Sequence, residues 1–355
     1  MTDSNDPPTR YREIEVSGTP LEMGRGIGEA ASEEIRGFVE IAMERVNLTT
    51  PVSNDKAMQV AANCISYVED YSPHMLEELR GMSEAAGVSV EDLMMLQVRN
   101  QLRPEDDAGC TSFSVGKPAS GPHLIGQNWD NDPGLDLFTI VLTRRPEGKP
   151  ALMNITQAGL IAYIGLNDAG IGICLNTLPA PSREAGVPHY FQVRGMYEAD
   201  NLDDAVMAVR RANRAIPANI MMATQQGPAD IEVTLDNVHV LRDDAGVVTH
   251  TNHCLHPDLL PINDDFPELI ESHPRLTRID RLLSEAGSPS AVENMKSALS
   301  DHDNYPRSIC RHQNDDPGTG YWMSVFSVII ETEAGLMHVS RGNPCCRPYE
   351  TYRLN

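Results

Sequence analysis

The spacing of apolar residues changes near residue 109, from a helical period before it to short strand-like runs after it. Residues 10–17 alternate, with Ile14 and Val16 on one side, and predict a first strand that Gly18-Thr19-Pro20 breaks. Ile35, Phe38, Ile41 and Ala42 then recur at helical spacing. Met58, Ala61, Ala62, Ile65 and Val68 repeat it, as do Met75, Leu76, Leu79 and Met82, with Gly87 placed to end the helix. Ser89-Val90-Glu91-Asp92 has the composition of an N-cap and opens a further helix through Leu93 and Leu96. Pro104-Glu105-Asp106-Asp107 reads as a solvated linker closing this helical part.

Beyond Gly109 the runs Thr111–Val115, Leu124–Asn128, Leu137–Thr143, Leu152–Ile155, Ile161–Gly165 and Ile171–Asn176 predict strands. Helices are expected around Tyr190–Tyr197 and Leu202–Arg211. Strands return at Asn219–Thr224, Asp230–Thr234, Val238–Leu241 and Val247–Thr251. Helices at Arg275–Ala286 and Ala291–Leu299 precede final strands at Trp322–Glu331 and Leu336–Ser340. Hairpin-like spacing rather than regular βαβ alternation predicts an α+β architecture of layered antiparallel sheets.

Composition narrows the function. A net charge of −23 argues against nucleic acid, whose binding needs a basic face, and against anionic membranes. No apolar run approaches the roughly 20 residues that span a bilayer. The N-terminal Met1-Thr2-Asp3-Ser4-Asn5-Asp6-Pro7-Pro8 lacks the basic and apolar parts of a secretory signal, so a cytoplasmic protein is expected. The seven cysteines are odd in number and contain no C-x-x-C pair, which argues against a disulfide framework; most are expected to be buried packing residues.

One cysteine invites a different reading. Gly109-Cys110-Thr111-Ser112-Phe113 places Cys110 at the start of a strand, directly after the acidic linker. A thiol becomes a strong nucleophile as thiolate and needs a base beside it. A cleavage between Gly109 and Cys110 would supply one, an α-amine with a pKa of about 7.7–8.0. Gly109 has no Cβ to obstruct attack on its carbonyl. The plain alternative is a buried cysteine opening a core strand.

The wider text favours the nucleophile. Gly109-Cys110-Thr111-Ser112, Gly126-Gln127-Asn128-Trp129-Asp130 and the stretch from Gly165 to Asn176 come in that order, followed by His250-Thr251-Asn252-His253, Ser308-Ile309-Cys310-Arg311 and Gly342-Asn343-Pro344-Cys345. Together with Gly18-Thr19-Pro20-Leu21-Glu22-Met23-Gly24, this series resembles the isopenicillin-N acyltransferase family of cysteine N-terminal-nucleophile enzymes, from about residue 10 to about residue 350. The resemblance implies a four-layer αββα sandwich of two antiparallel sheets. It implies autoproteolysis at Gly109–Cys110, giving an α chain of residues 1–109 and a β chain of residues 110–355 that stay associated as one catalytic domain. It implies hydrolysis of a small-molecule amide, or transfer of its acyl group, through a thioester on Cys110.

The resemblance also assigns roles. Asp130 becomes the partner of the nucleophile, where its own context reads equally as a turn aspartate. Asn252 becomes an oxyanion donor, and the Asn176–Thr177 backbone a second one by likeness to choloylglycine hydrolases. Arg311 becomes an active-site arginine, and His253 a neighbour rather than the base. No cofactor and no metal are expected. Two further readings stand beside this one: a binding protein of the same fold that never cleaves, and a zinc enzyme built around His250–His256.

Overall fold

The computed structural model describes residues 8–48, 50–102, 109–117, 120–286 and 291–355. The expected linker at Pro104–Asp107 lies outside them. The chain begins with β1 (Glu13–Gly18) and five helices: α1 (Pro20–Ala30), α2 (Ser32–Val46), α3 (Asn54–Tyr71), α4 (Pro73–Ala86) and α5 (Val90–Val98). Local chemistry sets their ends. Thr19 and Glu22 form a capping box at the start of α1, and Ser89 with Asp92 does the same for α5. Gly87 stops α4 in the left-handed region at φ 71°. Helices α1 and α4 meet backbone to backbone, because a Cβ on Gly24 would lie 2.0 Å from the Glu78 carbonyl oxygen.

The strands follow: β2 (Gly109–Lys117), β3 (Ser120–Asn131), β4 (Thr139–Pro146), β5 (Leu152–Gln157), β6 (Ile164–Asn167) and β7 (Gly172–Asn176). Helices α6 (His189–Tyr197) and α7 (Leu202–Arg210) lead to β8 (Ala218–Ala223), β9 (Ala229–Val233), β10 (Val238–Leu241) and β11 (Val247–His250). The chain closes with α8 (Ser272–Glu285), α9 (Val292–Leu299), β12 (Met323–Glu331), β13 (Leu336–Arg341) and β14 (Tyr349–Arg353).

These strands form an eight-stranded sheet in the order β1-β4-β5-β6-β7-β8-β9-β10 and a six-stranded sheet in the order β11-β2-β3-β12-β13-β14. The sheets face each other where β2 and β3 meet β7 and β8. Beyond the larger sheet, Glu78 of α4 pairs with Arg144 of β4 at 2.7 Å, and Gln97 of α5 donates to the Gly159 carbonyl at 2.8 Å. Beyond the smaller sheet, Ile279, Leu283, Met295 and Leu299 of α8 and α9 pack on Phe113, Leu124 and Ile329. The expected αββα order is therefore present. No helix among the described residues is long and apolar enough to cross a membrane.

Three local expectations change. The larger sheet is not purely antiparallel, because β1 runs parallel to β4 in the register Glu13↔Val141 to Gly18↔Pro146. Five helices intervene, and parallel pairing needs such a long crossover. The strand expected from Leu137 starts at Thr139, because Pro133–Phe138 winds into a 3-10 turn that Asp132 caps. β14 was not anticipated; it covers β13 in the register Leu336↔Arg353.

Candidate active site

Cys110 sits near the start of β2, paired with Trp129, and Gly109 is paired with Asp130. β2 and β3 thus form an antiparallel hairpin that sets Asp130 beside the Gly109–Cys110 junction. Its inner end is fixed by side chains reaching between the sheets. Gln127 of β3 accepts from the Leu175 amide at 3.0 Å and donates to the Leu175 carbonyl at 2.5 Å, extending the bonding of β7 into the other sheet. Asn176 donates to the Ser112 hydroxyl at 2.8 Å.

Cys110 is buried, and both its backbone polar groups have side-chain partners. Its N–H donates to Asn252 Oδ1 at 2.9 Å. Its carbonyl accepts from Arg275 Nη1 at 2.5 Å. The same guanidinium donates to Thr111 Oγ1 at 3.0 Å, to Asn252 Oδ1 at 2.8 Å and to the Ile270 carbonyl at 2.8 Å. The planar fork of arginine suits this many fixed acceptors. Asn252 is held in turn: its Nδ2 donates to the Thr177 carbonyl at 3.0 Å, and its N–H to Ser272 Oγ at 2.8 Å.

Asp130 lies next to this group, fully buried. Ser324 Oγ donates to its Oδ1 at 2.6 Å, while Oδ2 has no hydrogen-bond partner among the described residues and lies 3.5 Å from where a Cβ on Gly109 would be. Burial pushes the Asp130 carboxyl up to about 6, against the opposing pull of Arg275, the Ser324 hydroxyl and Arg311. Ser324 Oγ also accepts the Arg311 amide at 3.0 Å, tying that residue to the same group, while the Arg311 guanidinium extends toward Glu271 at 3.5 Å.

The backbone is strained here. Ile270 and Glu271 have φ of 47° and 50°, and for a β-branched residue such as isoleucine this is a genuine outlier. The Ile270 carbonyl is held by Arg275, and its side chain faces Gly109. Strain of this kind persists only where surrounding contacts over-determine it, and it gathers at functional sites.

A narrow cleft beside Cys110, about 40 Å³ in volume, is lined by Trp129, Tyr163, Leu175 and Leu178, with Arg99, Asn131 and His189 at its polar parts. Asn176 and Thr177 form another part of its wall. Burial, with Arg99 nearby, lowers the His189 imidazole to about 3, so it is neutral.

The structure thus brings Gly109, Cys110, Asp130, Asn176, Thr177, Asn252 and Arg311 to one place. Asn252 turns its amide oxygen to the Cys110 N–H, and one of the two Nδ2 protons goes to the Thr177 carbonyl. The residues His250–His256 do not converge on one point: His250 groups with Asp230 and Glu232, and His256 with His239 and Asp258. β11 ends at His250, one residue before the expected Thr251. His250 pairs with Glu232 at 2.9 Å, His253 bonds Ser272 Oγ at 2.7 Å, His256 stacks on His239, and Cys254 is buried in a small apolar cluster. Glu232 also accepts the Leu255 and His256 amides at 2.5 and 2.9 Å, which fixes the turn after Asn252.

Sequence reasoning missed Arg275, Ser272 and Gln127. A signal existed for the first two. Ser272, Arg275, Ile279 and Leu283 form the buried stripe of α8, so a charge stands where the helix calls for an apolar residue.

Cys110 is thus a buried cysteine behind a glycine, near the start of a sandwich strand and beside a cleft. Residues 117–344 match the family model of Acyl-coenzyme A:6-aminopenicillanic acid acyl-transferase, and the chain belongs to that family. It is 28% identical over 345 residues to the Acyl-coenzyme A:6-aminopenicillanic-acid-acyltransferase 40 kDa form of Emericella nidulans, covering 96% of this chain and 94% of the relative. Among solved structures it is similar to a Caenorhabditis elegans N-acylethanolamine-hydrolyzing acid amidase ortholog, at 18% identity and a TM-score of 0.45 over 69% of this chain and 100% of the other. It is also similar to penicillin V acylase from Agrobacterium tumefaciens, at 11% identity and a TM-score of 0.45 over 69% and 86%.

Proposed function

We propose that this chain is a self-processing cysteine amidohydrolase or acyltransferase acting on a small-molecule amide through a thioester on Cys110. The observation that carries the reading is the fixed backbone of Cys110, with its N–H on Asn252 and its carbonyl on Arg275. Together they fix the backbone on both sides of the thiol, as a nucleophile next to its own scissile bond requires.

In processing, Cys110 Sγ attacks the Gly109 carbonyl carbon. The Gly109–Cys110 C–N bond breaks as the departing nitrogen takes a proton, and a thioester remains. Water hydrolyses it, leaving residues 1–109 with a new carboxylate and Cys110 with a free α-amine. Asp130, with one oxygen beside Gly109 and a carboxyl raised to about 6, is placed to exchange the protons of these steps. In turnover the α-amine takes the Sγ proton and the thiolate attacks the substrate carbonyl. The amine product leaves, and water or an acceptor amine resolves the thioester. Hydrolysis is the default outcome, since acyl transfer needs a site that excludes water.

The aromatic and aliphatic wall of the cleft suits an apolar acyl group. The Emericella nidulans relative, an acyl-coenzyme A:6-aminopenicillanic-acid-acyltransferase, sets the starting substrate class. The net charge of −23 favours a cationic amine over coenzyme A. The test is amine release from a panel of N-acyl amides by wild type and Cys110→Ala, with mass spectrometry of the acylated chain. Turnover by the alanine variant would remove Cys110 from the mechanism.

A further inference from the structure

Four side chains outside the catalytic group converge on one point beside Arg311. They are His302, Cys310, His312 and Cys345, whose ligand atoms all lie within 4.8 Å of one another. His312 Nε2 is 3.1 Å from His302 Nε2, 3.6 Å from Cys310 Sγ and 3.5 Å from Cys345 Sγ. One imidazole nitrogen has a single proton or a single lone pair, so hydrogen bonding cannot serve three such neighbours at once. A cation at the centre can. A tetrahedral zinc with Zn–S of about 2.3 Å and Zn–N of about 2.05 Å has N···S edges of about 3.5 Å and an N···N edge of about 3.4 Å. The observed spacings approximate those edges.

We propose that His302, Cys310, His312 and Cys345 form a structural Cys2His2 zinc site. Two thiolates and two imidazoles are a ligand set typical of zinc. Binding releases the two thiol protons and forms two Zn–S and two Zn–N bonds, with no change of oxidation state.

The surroundings are those of a supported site. Asn343 Nδ2 donates to Cys310 Sγ at 3.5 Å and to the Arg311 carbonyl at 2.6 Å, joining the Cys345 turn to the Cys310 segment. The ligand loop is closed by its own backbone: the Cys310 amide donates to Asp301 and the His312 amide to Pro306, at 3.0 and 2.9 Å. Tyr305 packs its ring against both imidazoles, 5.7 and 5.1 Å from their centres. The site also has a purpose in the fold. Arg311 lies between two ligands, so the ion clamps the segment that carries it. No metal was expected from the sequence, and the competing zinc reading lay elsewhere, at His250–His256.

The test is metal content of the full chain, purified without chelator and dialysed. The expected result is about one zinc per chain. Replacement by cobalt should give a thiolate-to-metal charge-transfer band and the intense visible bands of a tetrahedral centre. His302→Ala and Cys345→Ser should each lose stoichiometric zinc, whereas Cys346→Ser and Cys110→Ala should retain it. If a ligand variant fails to fold, the wild-type cobalt spectrum decides. A metal-free wild type, a cobalt spectrum without thiolate bands, zinc retained by both ligand variants, or a Cys310–Cys345 disulfide under reducing purification would each overturn the proposal.

Discussion

Asn252→Asp is the most informative single change, because it keeps shape and alters charge at the nitrogen of Cys110. Asn252 Oδ1 lies 2.9 Å from that nitrogen. After the proposed cleavage this nitrogen would be the α-amine, whose unperturbed pKa is about 7.7–8.0. A carboxylate in contact favours the ammonium form. Two unit charges about 3 Å apart attract by about 5–6 kcal/mol at an effective dielectric of about 20. Arg275, 2.8 Å from the same oxygen, takes up part of that field. A net upward shift of about one to three pH units follows, as for other close opposite charges. The free amine needed as base at pH 7 then falls about tenfold to a thousandfold. The sign is fixed: the acidic limb of the pH–kcat/KM profile moves upward, and activity recovers at alkaline pH. The assay is that profile on mature enzyme. Co-expressing residues 1–109 with Met-initiated 110–355, whose Met is removed in the cell, makes the variant independent of self-cleavage. An unchanged limb with lower activity at every pH would refute the role given to this nitrogen.

Other outcomes follow from the same geometry. Burial raises the Asp130 carboxyl from 3.8 to about 6, so its ionised form opposes folding; the penalty is absent below pH 4 and reaches about 3 kcal/mol above pH 6. Asp130→Asn should therefore unfold at higher urea than wild type at pH 7.5, with the gap closing as pH falls to 4, while processing is lost. Arg275→Lys cannot reach Ile270, Cys110 and Asn252 together; losing one buried charged hydrogen bond, about 1.5–3 kcal/mol, should slow self-cleavage about 10- to 100-fold. A time course on freshly translated chain, with Thr277→Ala as control, checks it. Gly24→Ala drives a Cβ against the Glu78 carbonyl and should cost about 1–3 kcal/mol in urea unfolding while cleavage remains intact.

The helices and most strands were legible because their apolar residues keep the period of the element, as in Met75, Leu76, Leu79 and Met82 of α4. The parallel partner of β1 was not, since pairing across five helices leaves no local mark. The site was legible only through several motifs taken together. Gly109-Cys110 alone reads as packing, and Asp130 alone as a turn. Arg275 was hidden inside a helix pattern that gives position but not what the buried face meets. The orientation of Asn252 was unreadable because an amide presents a donor and an acceptor alike. The His302–Cys345 cluster escaped because its members come from two loops, more than thirty residues apart between Cys310 and Cys345.

The central claim is the cut before Cys110, and N-terminal sequencing with intact mass of purified protein tests it most directly. The account predicts two associated chains, residues 1–109 and 110–355, with the larger beginning Cys110-Thr111-Ser112, and a single uncut chain for Cys110→Ala. An intact wild-type chain that still hydrolyses amides, or a larger fragment that starts at any other residue, would contradict it.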